Sequence, residues 1–392
     1  MAAVAVVLSG VMALGACAST STTPEAAEAS SSEDTQALGA QTSERAVVVI
    51  QGGGSPHPYT TPWAQCEGER PTFLQSLADS GLPVFTAPGY TNTDPSTSGE
   101  TGCPPQPPLE VQWNTSGYPT QTGQALLGFL GYLNETYGYE TFDLVGYSYG
   151  GIVARAAVAA LKTTEPASSA PGFSYAQAAV EAGVTIPSVV TMNSPHLGSP
   201  SYDVADDPAA FYAPVAAAWG QQFADDSLGL VPFSRDGDAG AIQVLRTSAH
   251  AEPDPDSWDA LQVGALDGVA LTLMAGDLCG LTCGDTPAGG GGEDLLRTDG
   301  TVPVYSQLML SCGQACPTPP GSVDLPPGLV PEGNVVRQTF PTVHSTYTAE
   351  QLGLPSELSV SADPAAIDFL VGSVQAQWQQ AGVPLMSASA QP

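Results

Sequence analysis

The sequence predicts an α/β fold, a mainly parallel central sheet flanked by helices, on three observations. Short β-branched runs alternate with helical patterns from Arg45 onward. The first of these runs, Ala46-Val-Val-Val-Ile50, is apolar throughout, as in strands buried on both faces of a parallel sheet. No internal repeat interrupts the alternation, so one sheet covered by helices accounts for it better than a solenoid does.

The elements follow in chain order. After Ala46–Ile50, Leu82–Ala87 is the next candidate strand. A helix is expected over Gln121–Tyr137, with Leu126, Leu127, Leu130 and Leu133 on one face and Gly138 as its stop. A strand over Thr141–Gly146 leads to a helix over Gly151–Lys162. Strands near Ser188–Met192, Val269–Ala275 and Asn334–Phe340 and a last helix over Pro364–Gln380 complete the pattern. Two stretches depart from it and read as insertions, 55–118 and 201–261. The second carries Phe211, Tyr212, Trp219, Phe223, Leu228, Leu230, Val231 and Phe233. Its aromatic content favours a cap or lid over a site, with a satellite core as the alternative.

Thirty-nine acidic residues against 8 basic ones give a net charge of −31. That balance excludes nucleic acid as a partner, because Lys and Arg must displace phosphate counterions, and it opposes anionic lipid surfaces. With 42% hydrophobic and only 12% charged residues, the chain still has enough apolar material for a core.

Residues 1–17 read as a signal peptide: the run Ala2–Ala16 is uncharged, apolar and too short to span a bilayer permanently. It ends in Leu14-Gly15-Ala16-Cys17, which resembles the lipobox of bacterial lipoproteins and makes Cys17 the expected lipidation site. A Lys/Arg-rich n-region is absent, and an ordinary secretory signal is the alternative. Residues 18–44, rich in Ser, Thr, Ala and Glu, read as a flexible tether, and 45–385 as the folded domain. The expected location is outside the cytoplasm, at the cell surface or secreted, with membrane contact only through the anchor. Cysteine usage agrees. Apart from Cys17 there are six, Cys66, Cys103, Cys279, Cys283, Cys312 and Cys316, an even number suited to disulfides. The preferred pairing is Cys66–Cys103, Cys279–Cys283 and Cys312–Cys316. A four-Cys zinc site is the weaker alternative, since structural zinc favours C-x2-C knuckles.

Gly146-Tyr147-Ser148-Tyr149-Gly150 has the G-x-S-x-G pattern of a nucleophile elbow. Its context gives it weight, because the strand Phe142–Val145 precedes it and a helix follows. A serine hydroxyl needs a base, itself oriented by an acid. The chain has four His. In the chain order serine, acid, histidine, His57 lies too early and His344 is the expected base. Asp299, in Thr298-Asp299-Gly300-Thr301-Val302-Pro303, is favoured as the acid over Asp277, which directly ends a strand. Oxyanion donors are expected from the N–H of Tyr149 and, in the Gln51-Gly52-Gly53-Gly54 loop after the first strand, of Gly53. That loop lacks the Lys-Ser/Thr of a phosphate cradle.

These residues resemble the α/β-hydrolase superfamily, and more closely its secreted bacterial lipases and esterases. Asn193-Ser194-Pro195-His196-Leu197-Gly198-Ser199 is similar to a segment that follows a central strand in those lipases, and Asp299-Gly300-Thr301-Val302 to their acid loop. The likeness extends over about residues 45–380. It implies an α/β-hydrolase fold, a Ser148–His344–Asp299 triad, a structural role for His196 and no cofactor. Calcium-binding lipases often carry Asp two residues after the histidine. Here that residue is Thr346, which counts against calcium. The expectation is an exported serine ester hydrolase, monomeric, acting on esters of apolar acyl chains. The alternatives are an acyltransferase, a polyester or cutin-type hydrolase, and an inactive surface lipoprotein used for binding.

Overall fold

A computed structural model of the chain describes residues 44–54, 57–61, 72–91, 104–162, 172–229, 239–250, 257–278, 297–311 and 325–383. The signal peptide, nearly all of the tether and all seven cysteines, with the expected lipidation, disulfides and zinc alternative, lie outside the described residues.

The strands are β1 (Arg45–Ile50), β2 (Val84–Thr86), β3 (Gly89–Tyr90), β4 (Trp113–Asn114), β5 (Thr141–Tyr147), β6 (Thr185–Met192), β7 (Ala270–Gly276) and β8 (Val335–Phe340). Six of them form one sheet in the order β2-β1-β5-β6-β7-β8, every neighbouring pair parallel. β3 and β4 pair separately. Helices on both faces cover the sheet, and the pleat explains why both faces are apolar. In β1, Ala46, Val48 and Ile50 point into one core and Val47 and Val49 into the other. The first core lies under α2 (Pro119–Tyr137), α3 (Tyr149–Lys162) and α4 (Phe173–Glu181). The second lies under α1 (Thr72–Asp79) and α12 (Pro364–Gln380), the last helix.

Helix α2 begins at Pro119, two residues before the expected start, because proline lacks only a donor that a first helical turn leaves unpaired. It ends where the sequence indicates, at Gly138 in the left-handed conformation (φ 78°), whose N–H meets the Asn134 carbonyl.

The stretch 55–118 is only partly an excursion from the sheet. Phe73, Leu74, Leu77 and Ala78 of α1 are buried at helical spacing, and β2 is the edge partner of β1. The described residues of the stretch 201–261 are mostly helical: α5 (Pro200–Asp206), α6 (Pro208–Trp219), α7 (Gln221–Leu228), α8 (Ala239–Leu245), a 3₁₀ turn at Thr247–His250 and α9 (Trp258–Gln262). Val204, Val215, Phe223 and Ala224 form a small core of their own, onto which Phe211, Tyr212 and Trp219 pack. Further short α-helices among the described residues are α10 (Val304–Gln307) and α11 (Thr346–Gln351). Among the described residues no helix is long and apolar enough to cross a membrane.

Candidate active site

The fold gathers side chains at the carboxyl ends of neighbouring parallel strands, the usual place for a site in an open α/β sheet. Strand β5 runs through Tyr147 and helix α3 starts at Tyr149, so Ser148 alone makes the turn between them. Its φ is +53°, a left-handed conformation that a side chain adopts only under constraint. The Ser148 N–H donates to the Met192 carbonyl at 2.8 Å, which holds the turn against the end of β6. The helix begins two residues earlier than its sequence indicates, since Gly150 and Gly151 lower helix propensity but allow close packing. A Cβ on Gly150 would lie 2.2 Å from the Ile50 carbonyl oxygen, and one on Gly146 would lie 2.4 Å from the Gly151 Cα. Gly150→Ala is therefore expected to lower stability by about 1–3 kcal/mol through overpacking. Urea unfolding checks this; a loss below about 0.5 kcal/mol, as at an unconstrained surface position, would refute the tight fit.

Ser148 Oγ is 3.0 Å from His344 Nε2, and His344 Nδ1 is 2.8 Å from Asp299 Oδ2. Asp299 is fully buried, and its other carboxylate oxygen accepts from the backbone N–H groups of Thr301 (2.8 Å) and Val302 (2.6 Å). The Asp299 carbonyl accepts from the His344 N–H at 2.9 Å, so acid and histidine are joined through backbone as well as side chain. Asp277, the other acid weighed, is ion-paired with Arg297. Asp299, not Asp277, is the carboxylate bonded to the His344 ring.

The Gln51–Gly54 loop leans on the elbow. A Cβ on Gly52 would be 3.2 Å from Ser148 Cβ, and one on Gly53 would be 3.2 Å from Tyr149 Cβ. The Tyr149 N–H belongs to the first turn of α3, where donors have no intrahelical partner. The loop thus meets the elbow through Gly52 at Ser148 and through Gly53 at Tyr149.

A family model described as "Putative serine esterase (DUF676)" matches residues 122–216, about a quarter of the chain, from α2 through the elbow into α6. No curated protein matches the chain. Among solved structures it is similar to the lipase BlEst2 of Bacillus licheniformis in mature form, at 15% identity over 75% of this chain and 84% of that one (TM-score 0.34). It is also similar to the product of the Listeria innocua gene lin2722, at 14% identity over 85% and 92% (TM-score 0.36). A third is the proline iminopeptidase of Mycobacterium smegmatis, at 14% over 88% and 93% (TM-score 0.37). The parallel strand order carries a serine on a strained strand-to-helix turn, with an acid and a histidine following in that order after later strands. The architecture is that of an α/β-hydrolase fold.

Several further residues hold this site together through contacts that their residue types do not announce. Tyr147 donates its hydroxyl to the His344 carbonyl at 2.7 Å, and its ring lies 5.8 Å from the imidazole. Burial, and then the nearby Asp299 charge, push the Tyr147 phenol above its ordinary pKa, which keeps it a donor. Asn193, at φ +51°, accepts from the Gly276 N–H at 2.7 Å and donates to the Val343 and His344 carbonyls at 3.4 Å. It ties the ends of β6 and β7 to the histidine loop. Gln307 bonds both backbone groups of Gly276 and the Val302 carbonyl, and so fixes the acid loop to β7. Ser199 and Ser201 donate to the Thr301 carbonyl, which brings the start of the helical insertion against that same loop.

The remaining histidines are not members of the Ser148–His344–Asp299 hydrogen-bond chain. The His196 ring meets Thr191 Oγ1 (3.0 Å) and Arg155 Nη1 (3.3 Å). Burial, and then the Arg155 charge, hold His196 well below its ordinary pKa, so it is a neutral core residue. His250 is buried against Asp259 at 2.7 Å; burial lowers its pKa, but the carboxylate outweighs this and the net shift is upward. His57 lies beside the Gly52–Gly53 loop. Among the described residues no group of three or more His, Cys, Asp or Glu is arranged to hold a metal ion.

Proposed function

We propose that the chain is a serine hydrolase of carboxylic esters. The observation that carries this reading is the continuous hydrogen-bond chain from Ser148 Oγ through His344 to a fully buried Asp299. In the proposed cycle, Ser148 Oγ attacks the ester carbonyl while His344 Nε2 takes the hydroxyl proton. The N–H groups of Gly53 and Tyr149 stabilise the oxyanion of the tetrahedral intermediate. Collapse breaks the bond to the alcohol, which leaves with the proton returned by His344. Water, deprotonated by the same imidazole, then attacks the acyl-enzyme and regenerates Ser148. Asp299 keeps the Nδ1–H tautomer and stabilises the imidazolium without itself being protonated.

The apolar residues of the 201–261 segment and the scarcity of Lys and Arg favour an apolar acyl chain over a phosphate or carboxylate headgroup. The segment's first helix begins against the acid loop, which supports its having a part in acyl binding. Export, with anchoring through Cys17, rests on the character of residues 1–17.

A series of p-nitrophenyl esters from acetate to palmitate, assayed with and without emulsification, tests the reading. Hydrolysis with an optimum beyond acetate is expected, together with stoichiometric labelling of Ser148 by a fluorophosphonate. Absence of hydrolysis across the series and of labelling would overturn it. Products formed in the presence of added alcohols separate transfer to water from transfer to another acceptor.

A further inference from the structure

We infer that His57 is a positioning residue for the oxyanion hole: its imidazole locks the Gly52–Gly53 peptide in the orientation that presents the Gly53 N–H. The inference rests on the serine-hydrolase reading and deepens it.

The argument begins with the peptide unit. The carbonyl of Gly52 and the N–H of Gly53 belong to one planar group, and in a trans peptide they point in opposite directions. Fixing one therefore aims the other. Between two glycines such a plane has little resistance to flipping, because neither residue has a Cβ to exclude the alternative φ and ψ values. Gln51-Gly52-Gly53-Gly54 has three glycines in succession. The loop can approach Ser148 and Tyr149 for that reason, and for the same reason it cannot hold its own dipoles in place.

His57 supplies what the loop lacks. Its Nε2 is 2.7 Å from the Gly52 carbonyl oxygen. A carbonyl only accepts, so Nε2 carries the proton and donates. The donor is itself held on three sides. The His57 N–H and carbonyl exchange hydrogen bonds with Gly89 at 2.8 and 2.9 Å. Its ring stacks on Trp113, centroids 6.1 Å apart and planes inclined by 22°. Trp113 is fully buried and in turn packs against the Tyr149 ring, at 6.3 Å. The next peptide is pinned independently, since the Gly54 N–H donates to the Thr115 carbonyl at 3.2 Å. Burial lowers the His57 pKa, and the neutral ring still has its one proton on Nε2. The imidazole that chain order removes from the triad is thus placed where a preformed oxyanion hole needs a clamp.

His57→Phe keeps a flat ring against Trp113 and removes the donor; His57→Gln keeps an N–H donor of similar reach. Rates are taken per active site titrated to completion with a fluorophosphonate, so that misfolded protein does not count. The expected result for His57→Phe is a fall in kcat of about 10–100-fold with KM changed less than about threefold, since losing an oxyanion donor outright costs roughly 10²–10³. Inhibition by a trifluoromethyl ketone, whose adduct carries an oxyanion, should weaken by the same factor. His57→Gln should recover kcat to within about threefold of the parent. The inference is overturned if titrated His57→Phe retains kcat within about twofold. It is also overturned if activity is lost only in proportion to titratable sites, which marks a folding role. A parent chain that neither hydrolyses esters nor labels at Ser148 refutes the serine-hydrolase reading itself, a different outcome from either of these.

Discussion

Asp299→Asn is expected to lower kcat for ester hydrolysis by about 10⁴-fold while leaving the fold intact. The reason lies in what Asp299 accepts. Its Oδ2 takes the His344 Nδ1 proton at 2.8 Å, and its Oδ1 takes two backbone N–H groups. An asparagine can keep its carbonyl oxygen toward Thr301 and Val302, so the loop has no cause to move. It then turns an NH₂ toward Nδ1, which becomes an acceptor only if the ring proton shifts to Nε2. That tautomer cannot accept the Ser148 proton. The control is Asp277→Asn, which weakens the ion pair with Arg297 and leaves His344 untouched. It should stay within about threefold of the parent in kcat, far from the loss caused by a wrong tautomer. Steady-state kinetics per fluorophosphonate-titrated site decide the matter. Equal losses at the two positions, or a fall at Asp277 alone, would transfer the orienting role.

The chain order of Ser148, the two Asp and His344 is visible in one dimension, but the choice between the Asp residues depends on which partner each carboxylate meets in space. Asp277 ends the strand and Asp299 lies twenty-two positions on, and either could reach a histidine on an extended reading of the chain. What separates them in space is Arg297, which sits beside Asp277 while the turn at Gly300 (φ +92°) directs Asp299 toward His344. Residues that act through backbone were harder still to see. Tyr147 and Asn193 bond to the His344 carbonyl, and a hydrogen bond to a main-chain atom leaves no residue type to search for. An inner strand such as β1 is legible because burial on both faces demands runs such as Val47–Ile50, whereas the two-residue β3 and β4 carry no such run. Helix α1 gives no clear signal in the sequence, although Phe73, Leu74 and Leu77 have helical spacing, because eight residues inside a stretch rich in Pro, Gly and Thr make too short a period. In the 201–261 segment, aromatic content marked something apolar. It could not tell a lid from the small separate core that Val204, Val215 and Phe223 form.

At the opposite end of β5 from Ser148, Asp143→Ala should destabilise the protein by about 3–5 kcal/mol, a large part of a typical folding free energy of roughly 5–15 kcal/mol. Asp143 is fully buried and Arg45 nearly so, joined by two hydrogen bonds of 2.7 Å from Nε and Nη2. The same carboxylate accepts from the Ser188 hydroxyl and, at 2.6 Å, from the Trp378 indole, whose ring lies under the guanidinium. One side chain thereby ties β1, β5, β6 and α12 together. Its removal takes the carboxylate away from the buried Arg45 guanidinium and leaves the Ser188 hydroxyl and the Trp378 indole without this acceptor, which is why the single substitution is expected to cost so much. It does not follow that the pair is itself strongly stabilising, because both charges must be taken out of water to form it. Arg45→Met with Asp143→Leu separates these meanings: a double variant near the parent in urea unfolding, beside a crippled Asp143→Ala, shows that the cost lies in the orphaned charge. Five residue steps along β5 and into the elbow, about 16 Å, separate Asp143 from Ser148. Activity per titrated site should therefore survive in whatever fraction stays folded, and a fall in kcat that exceeds the fall in titratable sites would mean that the network also sets the strain of the elbow.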